Sequence, residues 1–318
     1  MLQSGFIQIY HKNTNAICAE LNAGLLAPQA CISPKFLYDG LGSKLFAAIC
    51  ELPEYYPTRT EALIFEQYRA EIARSTGRGS TLIDLGAGNC EKAASLFSAL
   101  QPVQYVPVDI SVDFLREAVE CLRYRYPQIR VTALGMDFSS ALELPDAVRS
   151  DKRLFFYPGS SIGNFTPEEA AAFLGRVRDA CRADGGLLIG VDLIKDEGLL
   201  YEAYDDAIGL TAAFNLNMLQ HLNRLLGTNF KPRDWRHVCQ FNASESRIEL
   251  HLEALRSVTV TWDDGERRFS QGERIHTENS YKYTPEKFLQ LLERAGFAHV
   301  NRWSDPHGWF MLCHARAV

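Results

Sequence analysis

Residues 80–92, STLIDLGAGNCEK, read as a strand, a tight glycine turn and the start of a helix. Gly86 and Gly88 let the backbone turn sharply and come close to a ligand. Asp84 ends the strand, which places a carboxylate at the carboxyl edge where open α/β sheets bind ligands. That strand is Thr81–Leu85, and working outward further strands are expected at Gln104–Asp109, Arg130–Leu134, Arg153–Tyr157 and Leu187–Asp192. They are apolar on both faces, as strands of a parallel sheet covered by helices must be. Helices fit between them. After Ser111, Phe114, Leu115, Ala118 and Leu122 recur at helical spacing. Thr166, Pro167 and Glu169 spell a capping box before the stripe Phe173, Leu174, Val177 and Cys181. The alternation predicts a doubly wound α/β sheet.

The pattern changes after Lys195. Leu210, Phe214, Met218, Leu222 and Leu225 mark a long helix ending at Gly227. Alternating runs follow at Ile248, Leu250, Leu252 and at Val258, Val260, Trp262, with a hairpin signal at Asp264-Gly265. This region reads as an insertion of helices plus an antiparallel sheet. Near the end, Thr284-Pro285 opens a helix that Gly296 closes, and two strands (His299–Trp303 and Trp309–His314) flank Asp305-Pro306-His307-Gly308. A terminal hairpin of this kind closes the Rossmann-like seven-stranded sheet of class I methyltransferases and is absent from nicotinamide-binding sheets. Tyr55 and Tyr56 precede Pro57, which predicts an extended pair there.

The glycine loop is D-L-G-x-G, with Glu91 at the position where a pyrophosphate-binding loop has its third glycine. That points to S-adenosyl-L-methionine, which has no pyrophosphate. Asp109 ends the next strand about 20 residues on, where ribose hydroxyls are taken. Asp137-Phe138 follows the third strand and suits an adenine, the acid on its amino group and the ring against its face. Each acid alone also suits a plain turn; three at successive strand ends are more specific.

The chain has 318 residues, 47% of them hydrophobic, with a net charge of −6 and no Lys/Arg-rich run. A grip on a phosphate backbone usually needs a basic face, so nucleic acid is not an expected partner. No leader or membrane span is expected, and the protein reads as cytoplasmic and monomeric. None of the eight cysteines (Cys18, Cys31, Cys50, Cys90, Cys121, Cys181, Cys239, Cys313) forms a CxxC pair. They read as buried small hydrophobes rather than metal ligands. His221 and His251 read as structural.

Longer stretches carry more than a generic cofactor fold: LPEYYPTRTEA (52–62), YVPVDIS (105–111), PGSSIGNFTPEE (158–169), DLIKD (192–196), YDDAIGLTAAFNLN (204–217) and IHTENSYKY (275–283). Together they resemble the histidine-specific Nα-methyltransferases of ergothioneine biosynthesis, over essentially the whole chain. That family makes hercynine from L-histidine by three methyl transfers from S-adenosylmethionine. The resemblance implies a methyltransferase domain over 61–195 and 282–318. It also implies an α+β substrate-binding domain over 1–60 and 196–281. It places Asn164, Tyr204, Tyr55 and Tyr38 around the amino acid's backbone end, with Gly159 also on the substrate. It places Glu278 and Ser280 on the imidazole. Gly86, Lys92, Asp109, Asp137 and Phe138 match cofactor positions, beside Asp84 and Gly88 of the same loop. Leu250 stands where the family often has methionine, and keeps an apolar wall there.

The chemistry suits these residues. The attacking amine must first lose a proton, and Tyr38 is the candidate group to guide it. Neutral imidazole offers one donor and one acceptor. Glu278 and Ser280, two apart on a strand, face the same side and can meet both nitrogens. The alternatives are a relative acting on another amino acid such as tryptophan, a non-catalytic cofactor-binding module, a nicotinamide enzyme and an RNA methyltransferase. The last three are disfavoured by the complete substrate set, the D-L-G-x-G loop with the terminal hairpin, and the acidic balance.

Overall fold

The computed structural model describes residues 5–9, 14–182 and 184–318. Its elements in chain order are β1 (Gly5–Gln8), α1 (Thr14–Leu26), α2 (Gly40–Ile49), α3 (Tyr56–Thr76), β2 (Thr81–Leu85), α4 (Glu91–Leu100), β3 (Gln104–Asp109), α5 (Val112–Arg125), β4 (Arg130–Gly135) and β5 (Arg153–Tyr157). They continue with α6 (Pro167–Cys181), β6 (Gly186–Asp192), α7 (Glu197–Tyr204), α8 (Leu210–Leu226), β7 (Trp235–Asn242), β8 (Arg247–Ala254), β9 (Val258–Trp262), β10 (Gly265–Phe269), β11 (Arg274–Tyr281), α9 (Pro285–Arg294), β12 (Phe297–Ser304) and β13 (Phe310–Ala317). The chain divides into two compact units. The first holds residues 5–9, Pro57–Ile194 and Tyr281–Val318; the second holds residues 14–56 and Lys195–Ser280.

The first unit is an eight-stranded sheet in the order β1-β4-β3-β2-β5-β6-β13-β12. Strands β1 to β6 pair in parallel, while β13 runs antiparallel to β6 and β12 antiparallel to β13. Seven of these strands make the sheet expected from the sequence. The eighth, β1, was expected to lie with the substrate-binding segment 1–60. It pairs with β4 instead, from Gly5 opposite Thr132 to Gln8 opposite Gly135. Four residues suffice to extend an open parallel edge, and so short a strand leaves little periodic signal. Residues 1–4 and 10–13 of that segment lie outside the described residues.

Side chains alternate along each strand and build two apolar layers. Ile83, Leu85, Val106, Val108, Phe155, Tyr157, Leu187 and Ile189 face α6 and α9 through Phe173, Leu174, Val177, Phe288 and Leu292. Leu82, Tyr105, Val131, Leu154, Phe156 and Leu188 face α3, α4 and α5 through Ile64, Phe65, Ile72, Phe97, Leu115 and Val119. Burying each such side chain is worth about 1.5–3 kcal/mol. The capping box before α6 is fully formed: Thr166 accepts from the Glu169 amide, and the Glu169 carboxylate accepts from the Thr166 amide.

Tyr55 and Tyr56 do not form the expected extended pair, because α3 starts at Tyr56. Pro57 falls in the first turn, where its missing N–H leaves no helical bond unmade.

In the second unit, the Asp39 side chain caps α2 by accepting from the Gly42 amide at 2.7 Å. Gly42 is required there, since a Cβ would lie 1.8 Å from the Leu37 carbonyl oxygen. Helix α8 ends at Gly227, as expected. The expected antiparallel sheet is two separate sheets, β11-β8-β7 and the hairpin β9-β10. Gly265 pairs with Trp262, so the hairpin turn is Asp263-Asp264 rather than Asp264-Gly265. Cys90, Cys181 and Cys313 are buried, whereas Cys31 and Cys121 are exposed, against the expectation for all eight. Among the described residues, no helix is long and apolar enough to cross a membrane.

Candidate active site

The glycine turn after β2 is built as its sequence demands. Gly86 and Gly88 have φ of 72° and 53°, a region that favours glycine. The amides of Gly86 and Ala87 both donate to the Val108 carbonyl, which ties the loop to the end of β3. Asp109 completes that tie. Its Oδ2 accepts from the Gly88 amide at 2.9 Å and its Oδ1 from the Ser111 amide at 2.8 Å. Burial raises the Asp109 carboxyl pKa, and these backbone N–H groups oppose the shift.

Asp84 departs from its expected place at the ligand edge. It shares the strand face of Leu82 and is only 2% exposed. Its Oδ2 accepts from the Tyr105 hydroxyl at 2.7 Å. Burial pushes its carboxyl up to about 7, against the lowering effect of that hydrogen bond. Alternation along β2 decides this: Ile83 and Leu85 fill one layer, so Asp84 must point into the other.

Asp137 follows β4, its Oδ1 accepting from the Ser139 amide at 3.0 Å and from the Ser139 hydroxyl. Phe138 packs edge-on against Tyr157 and lies about one van der Waals contact from Gly86, where a Cβ would be 3.8 Å from its Cζ. After β5, Gly159 turns with φ of 74°, and Asn164 ends the short 3-10 helix Ser161–Asn164, half-buried. Lys92, in the first turn of α4, meets a residue that received no role from sequence. Its Nζ lies 2.7 Å from Glu61 Oε2, and the Gly159 amide donates to Glu61 Oε1 at 2.9 Å.

In the second unit, Tyr38, Tyr55 and Tyr204 line one aromatic cluster with Phe46 and Phe214. Tyr38 meets Phe46 and Phe214 with ring centroids 5.5 and 5.4 Å away. Tyr55 meets Phe46 at 6.0 Å and Tyr204 at 6.2 Å. The Tyr204 hydroxyl is 2.7 Å from the Ser280 hydroxyl. Burial raises the Tyr55 phenol pKa well above its ordinary value, assisted by Tyr204, Cys50, Tyr38 and Glu278. Glu278 and Ser280 are 8% and 4% exposed on β11. The neighbouring strand β8 carries Leu250, buried, whose carbonyl accepts from Thr277 Oγ1.

Tyr204 is also held from behind. Its carbonyl lies 3.0 Å from His237 Nε2, and Asn215 Nδ2 lies 2.9 Å from His237 Nδ1. A carbonyl only accepts, so the ring proton sits on Nε2 and Nδ1 accepts from the amide. Burial lowers the His237 pKa and keeps this neutral form. His221 Nδ1 pairs with the Phe36 carbonyl, and His251 is buried on β8.

A family profile described as a histidine-specific, SAM-dependent methyltransferase matches residues 17–317. The chain belongs to the histidine-specific, S-adenosylmethionine-dependent methyltransferases. It is 40% identical to the histidine N-alpha-methyltransferase of Mycolicibacterium smegmatis over 93% of this chain and 94% of that one. It is 38% identical to the protein of the same name from Mycobacterium tuberculosis, over 93% and 94%. It is 32% identical to ergothioneine biosynthesis protein 1 of Neurospora crassa, over 88% of this chain and 33% of that longer one.

The residues present fit the family's cofactor, S-adenosylmethionine. The donor set holds an ammonium at Lys92, carboxylates at Asp109 and Asp137, and an aromatic face at Phe138. A side chain at Gly86 would fill the space beside that ring. Three sets of partners to these candidate residues had no part in the sequence reading: Glu61, Tyr105, and the pair His237 and Asn215. Glu61, Tyr105 and Asn215 stand inside three of the family-like stretches. Their partners are up to 98 residues away, so only their position in those stretches could have drawn attention.

Proposed function

We propose that this methyltransferase transfers methyl groups to the α-nitrogen of L-histidine, in three successive transfers that yield Nα,Nα,Nα-trimethylhistidine. The observation that carries the reading is the buried group Tyr204, Ser280 and Glu278 beside Tyr55. A carboxylate, two hydroxyls and aromatic walls are what a neutral imidazole ring needs: an acceptor for its N–H, a donor for its other nitrogen, and apolar faces. In this reading Glu278 accepts from the imidazole N–H and Ser280 donates to the second nitrogen. Ser280 is oriented for that by its bond to Tyr204. Tyr55, Tyr204 and Asn164 take the amino and carboxylate groups, with Gly159 giving close backbone approach. Leu250 supplies an apolar wall.

On the cofactor side, Lys92 takes the methionine carboxylate, Asp109 the ribose hydroxyls, and Asp137 with Phe138 the adenine. Gly86 and Gly88 let the loop backbone come close to the cofactor. Asp84 acts at one remove, through Tyr105 and the base of the loop. When bound, S-adenosylmethionine would supply an electrophilic methyl group, with a neutral thioether as the leaving group when a neutral amine takes that methyl. What the chain's own residues add is chiefly position, worth up to roughly 7–11 kcal/mol in favourable cases. The α-amine of an amino acid is largely protonated near neutral pH, with a reference terminal value of about 7.7–8.0. In this reading the Tyr38 hydroxyl accepts a hydrogen bond from the amine and guides its excess proton to water. The net charge of −6 agrees with a small-molecule substrate rather than a nucleic acid.

The test is mass spectrometry of each free amino acid after incubation with the enzyme and S-adenosylmethionine. Gains of one, two and three methylene units on histidine are expected. No gain on histidine, or an equal gain on tryptophan, would overturn the reading. A Tyr38→Phe variant with unchanged rate would remove that residue's part.

A further inference from the structure

Helix α3 buries one apolar stripe, Ile64, Phe65 and Ile72, and the residue that continues the stripe toward its start is Glu61. Glu61 is 0% exposed. An ionised carboxyl in such a place costs several kcal/mol unless it is paired and hydrogen-bonded. Both of its oxygens are in fact engaged. Oε2 accepts from the Lys92 ammonium at 2.7 Å and Oε1 from the Gly159 amide at 2.9 Å. The fold also makes room for it, since a Cβ on Gly190 would lie 2.3 Å from Oε1.

Its two partners share a location. Lys92 follows the glycine turn at the end of β2, and Gly159 follows the end of β5. These two strands are paired neighbours, Thr81 opposite Arg153 through Asp84 opposite Phe156. One buried carboxylate therefore fixes two loops at the carboxyl ends of adjacent strands. Packing alone would be served as well by an apolar side chain of that size, because exchanging a buried ion pair for hydrophobes is often neutral. What an apolar residue cannot do is aim an ammonium. The Lys92 side chain is 34% exposed, and an ammonium has three donors, one of which Glu61 directs.

We propose that Glu61 is a positioning residue for the cofactor: anchored through Oε1 by the Gly159 amide, it holds the Lys92 ammonium where the amino-acid end of S-adenosylmethionine is received. This rests on the reading that Lys92 takes the methionine carboxylate. Holding a long side chain in advance removes ordering cost from binding, so the expected effect is on affinity. Glu61→Gln keeps an acceptor for the Gly159 amide but turns an NH2 group toward Lys92, which separates the two contacts.

Isothermal titration of the full chain with S-adenosylhomocysteine and with 5′-methylthioadenosine tests this, because the second ligand has the nucleoside and thioether but no amino-acid end. Glu61→Gln is expected to weaken S-adenosylhomocysteine about tenfold, the scale of one lost charge-assisted hydrogen bond, and to leave 5′-methylthioadenosine unchanged. Lys92→Met is expected to show the same pattern, and the double variant to bind no more weakly than Lys92→Met alone. Equal loss for both ligands, no loss for either, or additive losses in the double variant would overturn the proposal. Should Glu61→Gln not fold, Glu61→Asp carries the same comparison. Wild-type protein that binds 5′-methylthioadenosine and S-adenosylhomocysteine equally would refute the Lys92 reading itself, a result separate from any effect of Glu61.

Discussion

Tyr204 closes α7 and Ser280 lies near the end of β11, yet their hydroxyls stand 2.7 Å apart in the interior of one unit. Either can donate, so the bond transmits the orientation of one hydroxyl to the other. Tyr204→Phe and Ser280→Ala are each expected to raise KM for histidine. The double variant should cost less than the sum, with a coupling of about 1 kcal/mol, typical of one buried hydrogen bond. Steady-state kinetics of the four proteins check this; additive effects would show that the two hydroxyls act apart.

Glu278→Ala is expected to raise KM for histidine by roughly 10- to 100-fold, the range of a buried polar group left unpaired. KM for S-adenosylmethionine should change little. Initial rates with each substrate varied in turn measure both. Equal shifts for the two substrates would remove Glu278 from the imidazole.

Asp84 predicts a pH dependence of stability. Its folded-state carboxyl lies at about 7, above its ordinary value, because burial disfavours the charge. The folded protein therefore keeps a proton that the unfolded chain releases. The stability this brings is complete below about pH 4 and is lost as pH rises through about 7. Asp84→Asn keeps an acceptor for the Tyr105 hydroxyl and cannot ionise. Its urea midpoint should fall less than the wild type's between about pH 5 and pH 8. Parallel curves for the two proteins would show that Asp84 does not titrate there.

Lys282 and Asp192 form an ion pair at 2.8 Å with side-chain exposures of 0% and 1%. Removing one partner strands a buried charge. Lys282→Met is expected to cost about 3–5 kcal/mol of stability, and Lys282→Met with Asp192→Leu to recover most of it. Chemical denaturation of the single and double variants measures both. A double variant as unstable as the single one would mean that the pair is not what the site depends on.

Much of this was legible in the residue order because it is local. The strand-turn-helix of 80–92, the capping box at Thr166 and Glu169, and the helix ending at Gly227 depend on neighbours a few residues apart. The failures have physical causes of the same kind. Pro57 warned against a helix at Tyr56, yet a proline in the first turn breaks no bond. The strand at Gly5–Gln8 is too short to show a period, and its partner β4 lies more than a hundred residues on. Asp84 looked like a ligand acid because it ends a strand, whereas the alternation of Ile83 and Leu85 turns it inward.

Residue order alone was enough for the class of sheet, the cofactor loop and the family, since glycine turns, apolar periods and long contiguous motifs are properties of short stretches. It could not say which side chains share a site. Glu61 with Lys92 and Gly159, Asp84 with Tyr105, and Tyr204 with Ser280 are pairs 21 to 98 residues apart. Such pairs exist only once strand pairing and the burial of apolar faces have brought distant backbone together. The pairing at the glycine loop was set in this way, by the packing of α3 and β3 around it.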